Sequence, residues 1–107
     1  DRGYTVTLIS DHGHVEAVGA GLATARGLSV SRGQRALLFD DLALASLAPD
    51  TDPPTILWHD DGLLPANLYI VMPRGRAAFT SKGSRVVSHG GASIEEMVVP
   101  LVTIEGR

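Results

Sequence analysis

Apolar residues fall in short runs broken by glycine- and proline-marked turns, a layout that gives several strands and few helices. Tyr4-Thr5-Val6-Thr7-Leu8-Ile9 is β-branched and aromatic, which predicts a strand ending at the turn Asp11-His12-Gly13. Residues 15–31 are rich in small side chains and show no clean period, so a long loop holding at most a short helix is expected. Arg35-Ala36-Leu37-Leu38-Phe39 predicts a strand. Asp40 and Asp41 precede a short helix over residues 42–47, capped by an aspartate and stopped by Pro49. Thr55-Ile56-Leu57-Trp58 predicts another strand, turned by Asp60-Asp61-Gly62. Leu68-Tyr69-Ile70-Val71-Met72 predicts one more, closed by Pro73. The polar, glycine-containing residues 74–84 read as a mobile excursion.

The last segment is the most legible. Val86-Val87-Ser88 runs into His89-Gly90-Gly91, and Ser93-Ile94-Glu95-Glu96 has the Ser-x-x-Glu form of a capping box. The helix it starts reaches about Val99, Pro100 limits it, and Leu101-Val102-Thr103-Ile104 is a final strand. Mixed strands and short helices, with apolar strands emptying into polar loops, point to an α/β fold. Ligand-binding residues there sit at the carboxyl ends of strands. The first strand and residues 86–88 are accordingly expected to end on one side of a single sheet, with both motif loops facing one crevice.

Composition narrows the class. The 107 residues allow one domain; 44% are hydrophobic and 20% charged, enough for a thin core and too little charge for a disordered chain. A net charge of −3 argues against a module that holds nucleic acid by charge, although a bound metal can supply positive charge locally. The absence of cysteine excludes disulfides and thiolate zinc sites and is compatible with a reducing cytoplasm. No apolar run approaches the ~20 residues of a membrane span. The chain opens at Asp1 almost directly into a strand, so it reads as an excised piece of something longer.

Two motifs can carry chemistry. Asp11 and His12 are a carboxylate and an imidazole side by side, suited to a divalent metal such as zinc or manganese. A strand would aim adjacent residues at opposite faces; a turn, which Gly13 permits, can aim both at one ion. In His89-Gly90-Gly91 the glycines let backbone approach a ligand closely. Taken singly, each motif is more often an ordinary turn. His14 reads as a loop residue, His59-Asp60-Asp61 as a turn, and Arg74 and Arg76 as a solvated loop that can meet phosphate.

Together, Ser10-Asp11-His12-Gly13 after an apolar strand and His89-Gly90-Gly91-Ala92-Ser93-Ile94-Glu95-Glu96-Met97-Val98-Val99-Pro100 before another resemble the C-terminal half of PglZ domains. Those domains belong to the alkaline phosphatase superfamily. The resemblance spans residues 4–104, specific at both ends and weak between. It implies the C-terminal portion of an alkaline-phosphatase-like sheet with flanking short helices and long loops, residues 1–107 being one fragment of such a domain. It also implies that Asp11 and His12 bind one ion and His89 its partner, in a two-metal phosphate-ester hydrolase using zinc or manganese.

The family's nucleophile and Asp-x-x-x-His segment are not found: Leu8, Ser10, Thr55 and Arg85 stand four residues before the histidines. No catalytic nucleophile is therefore assigned in this chain. It and the other ligands are expected upstream, in an N-terminal remainder of the same domain, leaving this fragment alone inactive. A cytoplasmic role in bacteriophage exclusion, alongside other subunits of such a system, is implied by the same resemblance. Whether the phosphate ester belongs to a nucleic acid stays open. The competing expectation is a docking module whose metals are dispensable.

Overall fold

The computed structural model describes residues 3–21, 34–47, 54–59 and 61–106. Among these residues, eight strands and two short helices follow in the order β1 (Thr5–Ile9), β2 (Val15–Gly19), β3 (Leu37–Phe39), α1 (Leu42–Leu47), β4 (Thr55–Trp58), β5 (Tyr69–Pro73), β6 (Ala77–Ala78), β7 (Arg85–Ser88), α2 (Ile94–Met97) and β8 (Leu101–Glu105). They form three small sheets: the pair β1–β8, the triplet β6–β2–β7 and the triplet β3–β5–β4. Only β2 and β6 run parallel; every other pairing is antiparallel. The architecture is thus mixed sheets with few short helices, α/β-like in its content.

Two of these findings correct the sequence reading. The first strand and residues 86–88 do not share a sheet: β1 pairs with β8, Val6 opposite Ile104, whereas β7 pairs with β2, Ala17 opposite Val86. Residues 15–19, expected in a loop, are strand β2, whose inward positions Val15, Ala17 and Gly19 alternate with outward Glu16 and Val18. The period of two is present, but alanine and glycine on the inner face hide it from a hydrophobicity scan. The rest of that expected loop, residues 22–31, lies outside the described residues, as do Pro49 and Asp60.

Residues 74–84, read as a mobile excursion, are docked on β2. Val18 N donates to Arg76 O at 2.8 Å, Gly21 N to Thr80 O at 2.9 Å and Gly83 N to Gly19 O at 2.7 Å. Gly19 is required where they cross, since a Cβ there would lie 2.0 Å from Ser81 O. Ala78 and Phe79 are buried by this docking, Ala78 against Val15 and Ala17 and Phe79 in the second cluster, with Leu37, Phe39, Ala45 and Val71. The helix α1 forms as expected: Asp41 Oδ1 accepts the Ala43 amide at 2.7 Å, the geometry of an aspartate N-cap.

Candidate functional site

The two motif loops meet although their strands do not share a sheet. The rings of His12 and His89 stack with centroids 3.8 Å apart and planes 14° from parallel. His12 is the third residue beyond β1, and His89 is the first residue beyond β7. Both loops are therefore delivered to one place, as the expected crevice requires, by backbone that belongs to different sheets.

The His12 loop is closely specified. His12 N donates to Asp11 Oδ1 at 3.0 Å, and Ser10 Oγ donates to His12 O at 2.6 Å. Nδ1 of His12 lies 2.7 Å from Gly13 O. A carbonyl oxygen only accepts, so Nδ1 carries the hydrogen, and in the neutral ring Nε2 keeps the lone pair. Asp11 Oδ2 stands 3.7 Å from that Nε2. Two donors bound ~2 Å from one ion are at most ~4 Å apart, so Asp11 and His12 present a compatible pair. The Nδ1–carbonyl contact is also the usual means by which a protein orients a histidine ligand. Asp11 is exposed and His12 half-exposed, which leaves the pair open to solvent.

Beneath the two loops sits a buried ion pair that sequence reading missed. Arg35 and Glu96 are 1% and 3% exposed, and Arg35 donates to the Glu96 carboxylate through Nε at 2.9 Å and Nη2 at 2.8 Å. The third guanidinium nitrogen, Nη1, donates to Ala77 O. Glu96 also accepts the amides of Gly91 at 2.9 Å and Ser93 at 3.1 Å, the latter being the glutamate half of the predicted capping box, while Ser93 Oγ stays without a partner among the described residues. Burial pushes the Glu96 carboxyl up, but the hydrogen bonds from Arg35, Ser93 and Gly91 outweigh it and hold it at about 2. Glu96 at the third helical position was a legible signal; nothing local marked Arg35 as its partner.

The remaining candidates separate cleanly. His14 and His59 are exposed, as a loop and a turn residue should be. Asp61 accepts Trp58 Nε1 at 3.1 Å and the Leu63 amide at 3.0 Å, an aspartate turn around Gly62. Arg76 pairs with Glu95 at 2.7 Å on the surface, and that contact follows the backbone amide as a cause of the lowered Glu95 carboxyl. Arg74 lines a cavity of about 300 Å³ walled in part by Arg35, Ala92 and Ser93, next to the His89 loop. Among the described residues, no three His, Cys, Asp or Glu side chains converge as a complete metal site. Asp11, His12 and His89 thus have the donor chemistry of part of one.

A family model described as the BREX system PglZ alkaline phosphatase-like domain matches residues 1–104. The chain belongs to the PglZ family. Neither a curated protein nor a solved structure matches it significantly. Membership in the PglZ family makes the chain an alkaline-phosphatase-like component of a BREX system, a family whose chemistry is generally metal-dependent. The system also implies further components around it. No described helix is long and apolar enough to cross a membrane.

Proposed function

We propose that this PglZ chain contributes Asp11, His12 and His89 to a two-metal site that hydrolyses phosphate esters, acting in the cytoplasm in bacteriophage defence. The observation that carries the reading is the stacked pair of histidines. Rings 3.8 Å apart and nearly parallel match the ~3.5–4 Å spacing of ions in two-metal centres, so each ring can serve its own ion. His12 Nε2 and Asp11 Oδ2 would hold one, and His89 the other. When bound, such ions polarise the phosphoryl oxygens and activate the nucleophile.

The chain's own residues supply placement. The Gly13 carbonyl keeps the lone pair of His12 on Nε2, and the His12 amide fixes one oxygen of Asp11 and leaves its second facing that nitrogen. The nucleophile and remaining ligands are contributed by residues other than these, within a larger alkaline-phosphatase-like sheet that β1 and β8 join.

The test is His89→Ala in the full-length protein. Bound zinc or manganese should fall by about one equivalent of the two, and aryl-phosphate turnover by at least ~100-fold. His59→Ala, on an exposed turn, should change neither. Unaltered metal content and turnover in the His89 variant would refute the assignment.

A further inference from the structure

Glu96 touches both halves of the candidate site without belonging to either. Its carbonyl accepts the amide of Gly13, the residue after His12, at 2.8 Å. Its carboxylate accepts the amide of Gly91, two residues after His89, at 2.9 Å. Both contact points are glycines for a steric reason. A Cβ on Gly13 would lie 1.9 Å from Glu95 O, and one on Gly91 would lie 2.8 Å from both Arg35 Nη2 and Glu96 Oε2.

We propose that the Arg35–Glu96 pair is a positioning device that sets the separation of His12 and His89 by clamping the backbone just beyond each ring. The proposal rests on the two-metal reading for its purpose, though not for its geometry. A buried ion pair is a poor route to stability, because an apolar pair of the same volume often does as well or better. What an apolar pair cannot do is accept the amides of Gly91 and Ser93, which would be left half-buried and without that partner. The guanidinium fork fixes the plane of the carboxylate, and the carboxylate in turn fixes the His89 loop. The same residue's main chain fixes the His12 loop, so neither histidine can move far without displacing α2. Arg35 is itself anchored outside the pair, on Ala77 O of β6. The docked arm of residues 74–84 is thereby part of the clamp.

The experiment compares wild type with Glu96→Gln and Arg35→Lys in the full-length protein. Three readouts are taken: hydrogen exchange at the Gly13 and Gly91 amides, contacts between the His12 and His89 rings by histidine-labelled NMR, and the visible spectrum of added cobalt(II). In wild type both amides should be protected and the rings in contact. In Glu96→Gln, protection should fall at both glycines together and the ring contact should weaken. The cobalt spectrum should change shape, and kcat should drop ~10- to 100-fold with KM within about twofold, the signature of misplacement. Arg35→Lys should show the same changes, smaller.

A folded Glu96→Gln protein with ring contact, protection and cobalt spectrum all unchanged would overturn the proposal. If that variant does not fold, wild-type exchange decides: unprotected Gly13 and Gly91 amides overturn it, and protected ones support it. Wild-type protein that takes up no cobalt, yet loses ring contact in the variants, would refute the metal reading and leave the clamp standing.

Discussion

The strand pairs β2–β7 and β1–β8 are both antiparallel and both rich in β-branched residues, yet one is packed and the other is bare. In β2, Val15 and Ala17 are 3% and 0% exposed; in the β1–β8 ribbon, the facing residues Val6 and Ile104 are 46% and 51% exposed. The ribbon nonetheless has one wholly apolar face, formed by Val6 and Leu8 of the first strand with Val102 and Ile104 of the last. Its other face carries Thr5, Thr7, Thr103 and Glu105, with Ile9 and Leu101 at one end. Hydrogen-bonded pairing therefore does not create a core by itself. The difference lies in the neighbours: β2 is flanked in its sheet by β6 and β7, and Val15 and Ala17 cluster with Ala78 and Val86, whereas both ribbon strands are exposed along their whole length. Two strands without a covered face are marginal in water, so the packed half must hold the site in place.

The sharpest way to break that contrast is to attack the buried pair on the packed side. Glu96→Ala leaves the Arg35 guanidinium buried and uncompensated, and should cost about 3–5 kcal/mol in urea denaturation. Replacing both together, as Arg35→Met with Glu96→Leu, should recover much of that loss. A double variant as unstable as the single would show that the hydrogen bonds to Gly91 and Ser93, rather than the stranded charge, carry the cost.

Acid probes the same pair. The Glu96 carboxyl is held at about 2 in the folded chain against an ordinary value of 4.5. Its folded value is the lower one, so its contribution is complete above the unfolded value and fades as pH falls from 4.5 toward 2. The shift corresponds to about 3 kcal/mol at most. Denaturation between about pH 6 and about pH 2 should therefore show a steeper loss in wild type than in Glu96→Gln. Parallel profiles would mean the carboxyl is not held down.

Gly13→Ala comes next. Its methyl would collide with backbone rather than a movable side chain, so a cost of about 1–3 kcal/mol is expected. A Gly13→Ala variant as stable as wild type in thermal or urea melts would contradict the close approach of the His12 loop to α2. The smallest effect belongs to the ribbon. Val6→Thr should change the stability of this chain by no more than about 0.5 kcal/mol, and a clearly larger loss would mean that the apolar face is covered in solution.

The two halves also differ in how far they could be read from sequence. The ribbon strands, α1 and β4 were legible because their signals are local: a β-branched run, an aspartate before a short apolar stretch, a turn after it. Strand β2 escaped because its buried residues are Val15, Ala17 and Gly19, too small to register as an apolar face. Strand β6 is only Ala77–Ala78 and exists through its pairing with β2, which no local pattern announces. Both motif histidines were found from their glycine neighbours, and the structure brings their rings together. Their buried support was not found, because a charged residue inside Arg35-Ala36-Leu37-Leu38-Phe39 gives no hint of a partner far along the chain. A lone arginine in an apolar run, set against a glutamate inside a helix start, is the trace such a pair leaves.

The ribbon has a topological consequence of its own. Because β1 is the first strand and β8 the last, Thr5 stands opposite Glu105, and Gly106 N donates to Tyr4 O at 3.3 Å. Pairing residues 5–9 with residues 101–105 closes the longest loop of any strand pair among the described residues, so the ribbon carries the largest loop-closure entropy of them all.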